Sequence, residues 1–333
     1  MASLPMSDSM LSSVLSQYPL PNARVLDVLE SSKRNDNFVI EDVSGGRYIL
    51  RRYRRNNQET RIRFQLYFQQ HLESSGFPTS KIIRTISNDV LVVKEDSPWA
   101  LFTFIEGNEY DFGRVNQVVE AARRLAQFHT VADGFQYQEV VIDINRMPDW
   151  WTDAEREIHA LEEFFAGTGV DNEITCVREY AAELVREWPL ERNAALPLAW
   201  IHGDYHGRNM VFVGDEMRGL FDFDVVYRGF RIVDVSRAMF MFGRQYRGSS
   251  IIRSEVAQAF LEEYARNTEL RQEELQAIPV FAVLDLIPFA SYYAMLRRDG
   301  EDAVSYLRSH VEAMRRRRSE MKRLEPIFRR RSV

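Results

Sequence analysis

Three polar residues in one stretch of the chain carry chemistry: Asp204, Asn209 and Asp222. Residues 209–213 alternate short apolar side chains, Gly214-Asp215-Glu216 has turn chemistry, and 218–221 resumes an apolar run, so the segment predicts a β-hairpin. The start of a hairpin's first strand lies beside the end of its second, which brings Asn209 next to Asp222. An amide oxygen and a carboxylate at one point are hard ligands suited to Mg²⁺, which takes one or two protein carboxylates plus substrate phosphates. Asp204 stands five residues before Asn209, in the loop entering the hairpin, where it would face the same metal from the substrate side. Such a set suits phosphoryl transfer: metal ions neutralise charge developing on the phosphate, while a carboxylate orients the attacking hydroxyl and takes its proton.

The run His202-Gly203-Asp204-Tyr205-His206-Gly207-Arg208-Asn209, then Phe221-Asp222-Phe223-Asp224, then Asp234-Val235-Ser236-Arg237-Ala238, resembles the aminoglycoside phosphotransferase, choline kinase and homoserine kinase superfamily. The resemblance implies an α+β, bilobal, protein-kinase-like fold. A small antiparallel β-sheet lobe with one helix would occupy 1–103, and a larger, mainly α-helical lobe 104–333, ending in a basic helix over 308–333. It implies ATP and Mg²⁺ as cofactors and a small-molecule hydroxyl as acceptor. His-Gly-Asp with Asp-Phe-Asp, in place of His-Arg-Asp and Asp-Phe-Gly, points to the small-molecule branch. Asp204 is then the catalytic residue, and Asn209 and Asp222 are metal ligands; Asp224 either adds a metal contact or caps the loop. Asp234 resembles the family carboxylate that anchors the catalytic loop, and it also stands where an N-cap would precede a helix from Val235. His202, after Trp200-Ile201, reads as a buried residue that shapes the loop.

Strands are expected over 25–29, 37–43 and 48–53, with a turn at Ser44-Gly45-Gly46, followed by a helix over 59–74. Residues 31–36 fall where a nucleotide-covering loop belongs; it lacks glycines, and Ser31, Ser32 and Asn35 would offer hydrogen bonds there. The strand over 48–53 should deliver a lysine to the phosphates but carries Arg51 and Arg52, which must point to opposite faces. The family register, with the cation after the apolar pair Ile49-Leu50, favours Arg51, a bidentate but bulkier phosphate ligand than lysine. Its helix partner, a glutamate in the family, would be Glu59 or, in the preferred register, Gln65. Residues 99–105 read as a strand running into a break at Gly107, and the resemblance makes this the hinge, where backbone groups around Phe104 and Ile105 would bond adenine.

Beyond the hinge the chain turns helical. Val118, Ala122, Leu125 and His129 recur on one helical face, so His129 reads as a core histidine. Residues 139–191 hold fourteen acidic side chains against four basic ones, with at least two amphipathic helices. An acidic wall would favour an amine-bearing acceptor; solvated helix faces explain the same composition. Trp150, Trp151, Tyr246, Tyr292 and Tyr293 would either bind a cation or join the core. Helices are expected over 254–266, over 273–298 with interruptions at Pro279 and Pro288, and over 301–323. Residues 308–333 carry a local charge of +7 in a chain of net charge -6, and the four arginines 315–318 would spread around a helix. A solvated terminal helix is the expected form, with no nucleic-acid partner.

A length of 333 residues suggests about two domains. No apolar run is long enough to span a bilayer, the Ser-rich start over 1–21 lacks the pattern of a secretory signal, and a single cysteine, Cys176, makes no internal disulfide, so a cytoplasmic enzyme is expected. The acceptors that fit are homoserine-like amino alcohols, slightly ahead, and amino sugars including aminoglycosides. The rivals are a protein Ser/Thr kinase of the same fold and a nucleotide-binding pseudokinase. The Arg51 and Gln65 departures allow the pseudokinase; an intact Asp204, Asn209 and Asp222 set opposes it.

Overall fold

The computed structural model describes residues 8–32, 35–54, 58–137, 153–284, 286–287 and 289–329. The chain opens with α1 (Asp8–Leu15), β1 (Arg24–Ser32), β2 (Asn35–Glu41), β3 (Arg47–Tyr53), α2 (Glu59–Ser74), β4 (Ile82–Ile83), β5 (Val92–Lys94) and β6 (Ser97–Thr103). There follow α3 (Val115–Ala132), α4 (Ala154–Phe164), α5 (Asp171–Glu187), β7 (Leu198–Ile201), β8 (Met210–Val213), β9 (Glu216–Leu220) and β10 (Tyr227–Phe230). The rest is helical: α6 (Ile232–Gly243), α7 (Ser254–Asn267), α8 (Gln272–Leu284), α9 (Ala290–Arg298) and α10 (Ala303–Arg329). This is the α+β plan expected from the resemblance. It divides into two compact units. One holds the residues up to Tyr110, a segment beginning at Thr130, and Arg208–Val226; the other holds Asp111–His129, a segment ending at Gly207, and everything from Tyr227.

The first unit is built on an antiparallel sheet of order β1-β2-β3-β6-β4, with β5 added to β6. Alternation along the strands gives the sheet two apolar faces. On one, Phe38, Ile40, Leu50, Trp99 and Leu101 pack against Leu11, Val14, Leu15 and Tyr18 from α1 and the turn after it. On the other, Tyr53, Ala100 and Phe102 pack against Ile62 and Leu66 of α2. Helix α1 went unpredicted because serines dilute the pattern, yet Leu11, Val14, Leu15 and Tyr18 keep the i, i+3, i+4, i+7 spacing of a buried helical face.

The expected nucleotide-covering loop over 31–36 is shorter than its polar composition suggested. Ser32 and Asn35 are already paired across β1 and β2, with an irregularity between Leu29 and Ser32, so only 33–34, which lie outside the described residues, separate the strands. The antiparallel ladder of β1 and β2 thus extends to that pair.

In the second unit, Pro279 lies inside α8 without ending it, α9 is a separate helix, and Pro288 lies outside the described residues. Helix α10 is not the solvated terminal helix expected. Leu307, Val311, Met314, Met321, Leu324 and Phe328 form a continuous buried stripe along it. Its arginines do spread around the axis. Arg315 hydrogen-bonds Cys176 of α5, Arg316 pairs with Glu312 at 2.6 Å, and Arg318 pairs with Glu183 of α5. Arg317 is buried, donating to Ala282 O at 2.8 Å with its guanidinium 3.8 Å from the Phe240 ring centre. Arg308 adds a contact of 3.4 Å to Glu173 of α5. Two glutamates of the acidic segment are therefore paired with arginines of the basic one across α5 and α10. Trp150 and Trp151 lie outside the described residues; Tyr293 is core, 5.0 Å from Phe165, whereas Tyr246 is exposed.

Because α10 is packed, Leu307→Ala is expected to cost about 2–5 kcal/mol of stability. Urea unfolding followed by circular dichroism measures it, and a loss below about 0.5 kcal/mol, the range of surface changes, would show a helix that contributes little core.

Candidate active site

In the second unit, Asp204 follows β7 in a loop whose shape depends on a carboxylate from α6. Asp234 is wholly buried and accepts His202 N–H on Oδ2 at 2.6 Å and Gly203 N–H on Oδ1 at 2.8 Å. Gly203 has φ 76°, a left-handed conformation that a side chain would strain. A third contact runs from His129 Nε2 to Asp234 Oδ2 at 3.3 Å, and His129 Nδ1 lies 2.8 Å from the Tyr264 hydroxyl. A carboxylate only accepts, so Nε2 donates, and with a neutral ring the Tyr264 hydroxyl donates to Nδ1. His129 is thus the core histidine the helical spacing implied, with a task in bracing Asp234. His202 is buried and accepts Asp204 N–H on Nδ1 at 3.2 Å. Asp234 is no N-cap: it lies in the first turn of α6, after Arg231 as capping residue, with its carboxylate committed to the loop.

The Asp204 carboxylate has partners the sequence reading passed over. Arg237 donates to Oδ1 at 2.6 Å, and His206 Nε2 lies 3.3 Å from Oδ2. Arg237 is three residues after Asp234 on α6, so both emerge on one face; one sets the loop backbone and the other holds the carboxylate. Their signal lay in plain view, since Arg237 falls in the quoted 234–238 stretch and His206 two residues after Asp204. Burial pushes the Asp204 carboxyl upward, but the His206 hydrogen bond and the charges of Arg237, His206 and His202 outweigh it and hold the group well below the usual carboxylate range.

In the first unit, β8 and β9 form the predicted hairpin, in register Met210 opposite Leu220 and Val213 opposite Glu216. One step beyond that ladder, Phe221 N–H donates to Asn209 O at 2.8 Å. Asn209 and Asp222 therefore flank the open end of the hairpin. Asp222 has φ 65° and ψ 65°, a left-handed conformation that Asp tolerates better than most residues, and that clusters at functional sites. After it, the short 3-10 turn Phe223–Val225 carries Asp224, whose Oδ2 is 3.4 Å from Asn35 Nδ2.

The sheet settles which arginine looks toward these carboxylates. Arg52 points to the Trp99 face, 5.5 Å from that ring and bonded to Ser97 Oγ at 3.1 Å. Arg51 lies on the α2 face, 5.8 Å from the Phe102 ring, donating through Nε to Asn37 Oδ1 at 3.0 Å. Burial disfavours its charge, but Tyr53, Asp224 and Asp222 more than compensate and raise its pKa. Gln65 is not turned to Arg51: its Nε2 donates to Asp224 O at 3.2 Å. Arg61, unmentioned in the sequence reading and buried one helical turn earlier, donates to Asp224 O at 3.1 Å and to Val226 O at 2.9 Å.

The expected hinge follows β6. Phe104 N–H is already donated to Arg47 O at 3.1 Å. Asn108 exchanges backbone hydrogen bonds of 2.9 and 2.8 Å with Phe212, locking the segment onto β8. Gly107 permits that approach, for a Cβ there would lie 2.8 Å from Phe212 O. Ser31 and Ser32 lie at the end of β1.

A helix-braced carboxylate loop, a hairpin ending in an amide and a carboxylate, and a sheet delivering one cation toward that carboxylate define a protein-kinase-like phosphotransferase. The model of the phosphotransferase enzyme family matches residues 26–304, and the chain belongs to that family. It is similar to a homoserine kinase of Parvibaculum lavamentivorans, 25% identical over 83% of this chain and 81% of that protein. Its fold is that of an aminoglycoside phosphotransferase from Alicyclobacillus acidocaldarius, with a TM-score of 0.70 at 17% identity, covering 98% of both chains. An amicoumacin kinase solved in complex with AMP-PNP, Ca²⁺ and Ami shares the fold at a TM-score of 0.66 and 17% identity, covering 97% of this chain and 95% of that one. The protein is an enzyme, a small-molecule kinase. No described helix is long and apolar enough to cross a membrane.

The pairing of Asp204 fixes a pH response. A depressed pKa keeps the carboxylate ionised, so over about pH 5–9 Asp204 adds no acid limb to the rate. Arg237→Gln removes a charge that favours the ionised form, and should move the acid limb upward toward that window, with the His206 hydrogen bond still opposing protonation. Profiles of kcat/KM against pH test this; superimposable profiles would show that Arg237 does not tune the carboxylate.

Proposed function

We propose that the protein transfers the γ-phosphoryl group of ATP to the hydroxyl of a small, carboxylate-bearing amino alcohol of the homoserine type. The observation that carries this reading is the Asp204 carboxylate, held ionised on a loop five residues before Asn209. Asp204 orients the acceptor hydroxyl and takes its proton as the oxygen–phosphorus bond forms and the bond to the leaving ADP breaks. The donor set of Asn209 and Asp222 fits Mg²⁺. Among the described residues no cluster of three or more His, Cys, Asp or Glu could hold a metal, but Mg²⁺ needs only one or two protein carboxylates once phosphates bind. Bound there, it would neutralise charge on the transferring group. Asp224 serves the loop more than the ion, its carboxylate lying toward Asn35. Arg51 steadies the phosphates, with Ser31, Ser32 and Asn35 at the adjoining hairpin. Adenine is held by Phe104 O and Ile105 N–H, because Phe104 N–H is already bonded to Arg47 O.

Charge selects the acceptor class. Arg237 stands at the base itself, where its ion pair with Asp204, beside the His206 contact, offsets the negative charge that would otherwise attract a polycationic acceptor. The glutamates of α5 that would have attracted an amine are partly spent on α10, Glu173 on Arg308 and Glu183 on Arg318. Both points favour an amino acid alcohol over a polycationic aminoglycoside, and the similarity to homoserine kinases agrees with them. Nucleotide use is supported by the solved amicoumacin kinase of this fold, which holds AMP-PNP and Ca²⁺.

Acceptor-dependent ADP release from Mg-ATP should be greatest with homoserine, lower with 3-amino-1-propanol and least with aminoglycosides or a generic protein. The reverse order would contradict the charge argument. Asp204→Ala should lower kcat by about 10²–10⁴-fold while nucleotide affinity is kept, and Asp222→Ala should weaken Mg-nucleotide binding itself. Wild-type turnover in the first variant, or unchanged binding in the second, would reassign those roles.

A further inference from the structure

We propose that Arg61, assisted by Gln65, is a positioning residue for Asp222, taking over the task that a strand cation paired with a helix glutamate performs in other kinases. The inference rests on the metal reading above. In such kinases the ion pair registers the helix against the sheet and thereby the neighbouring metal-binding aspartate. Here Arg51 is bonded to Asn37 Oδ1, and Gln65, the residue that the family register puts in the place of the glutamate, bonds to Asp224 O. The helix instead reaches the metal-binding segment directly. One guanidinium nitrogen of Arg61 bridges two backbone carbonyls, Asp224 O and Val226 O, and Gln65 Nε2 makes a second bond to Asp224 O. The three bonds close over the turn that begins right after Asp222.

The arrangement suits that task. Arg61 is only 3% exposed, and burying a cation is costly unless hydrogen bonds repay it. Its guanidinium also lies 5.1 Å from the Phe64 ring centre on the same helix. Phe223, the residue after Asp222, packs toward Phe68 of α2 with ring centres 6.1 Å apart, so α2 grips the turn by its backbone and by a side chain. Asp222 itself is left-handed, a conformation that persists only when its surroundings over-determine it. Neutral and cationic donors to carbonyls, in place of an acid, also leave Arg51 to the carboxylates of Asp222 and Asp224 and to the phosphates.

The test compares Arg61→Met, Arg61→Lys and Gln65→Met with wild type. Mn²⁺ affinity is read by electron paramagnetic resonance in the presence of a non-hydrolysable ATP analogue, beside steady-state kinetics and thermal melting. Arg61→Met should weaken Mn²⁺ binding and lower kcat, each by about 10–100-fold, with KM for the acceptor little changed, and Arg61→Lys should recover most of both. Gln65→Met should give a smaller loss of the same kind. Unchanged Mn²⁺ affinity in Arg61→Met, or a loss that follows the melting temperature and is not recovered by lysine, would overturn the proposal. Should Arg61→Met fail to fold, Gln65→Met decides: weaker Mn²⁺ binding supports the role and unchanged binding overturns it. A wild-type protein that binds no Mn²⁺ with the analogue would overturn the metal reading itself, a result distinct from the others.

Discussion

The buried carboxylate of Asp234 is the constraint on which the loop carrying Asp204 depends. A carboxylate removed from water must be fully hydrogen-bonded, and this one meets that demand with two consecutive backbone N–H groups and a histidine. Meeting it forces the backbone at 202–203 to turn both amides inward, which needs the left-handed glycine at 203 and sends the next residue, Asp204, outward. The same helix face supplies Arg237 to that outward carboxylate. Loop shape thus comes from Asp234, braced from behind by His129 and Tyr264, and the ionisation of Asp204 comes from His206 together with Arg237, one turn after Asp234 on the same helix.

The hairpin half follows a different logic. Strand pairing continues to Asn209 and Phe221 and stops where Asp222 leaves the ladder in a left-handed conformation. What keeps that exit from relaxing is backbone capture by α2 through Arg61 and Gln65. Cations and amides recruited to carbonyls leave the local acids uncommitted to the helix, a division of charge suited to holding a metal and phosphates.

Much of this was legible in the sequence, and the rest failed for physical reasons. The hairpin, the first three strands, the helix over 59–74 and the core role of His129 follow from periodicity and turn chemistry, which are local. That Arg51 and Arg52 point to opposite faces follows from strand alternation, whereas the choice of Arg51 comes from the family register. The Arg237 bond to Asp204 leaves no periodic trace because it joins residues 33 apart, and the Gln65 bond to Asp224 O spans 159 residues. The terminal helix was misjudged for a related reason: a +7 segment reads as solvated until the acidic helix that faces it is found, and Glu173 and Glu183 lie more than a hundred residues upstream of their arginines. Burial of Arg317 against Ala282 O and Phe240 shows how one arginine of a run of four can be core.

Phosphoryl transfer to an acceptor hydroxyl is read directly by phosphorus NMR of the wild-type protein with Mg-ATP and homoserine. A phosphate monoester resonance should grow in step with ADP and be absent without acceptor. ADP appearing only with inorganic phosphate, at the same rate with and without acceptor, would contradict it.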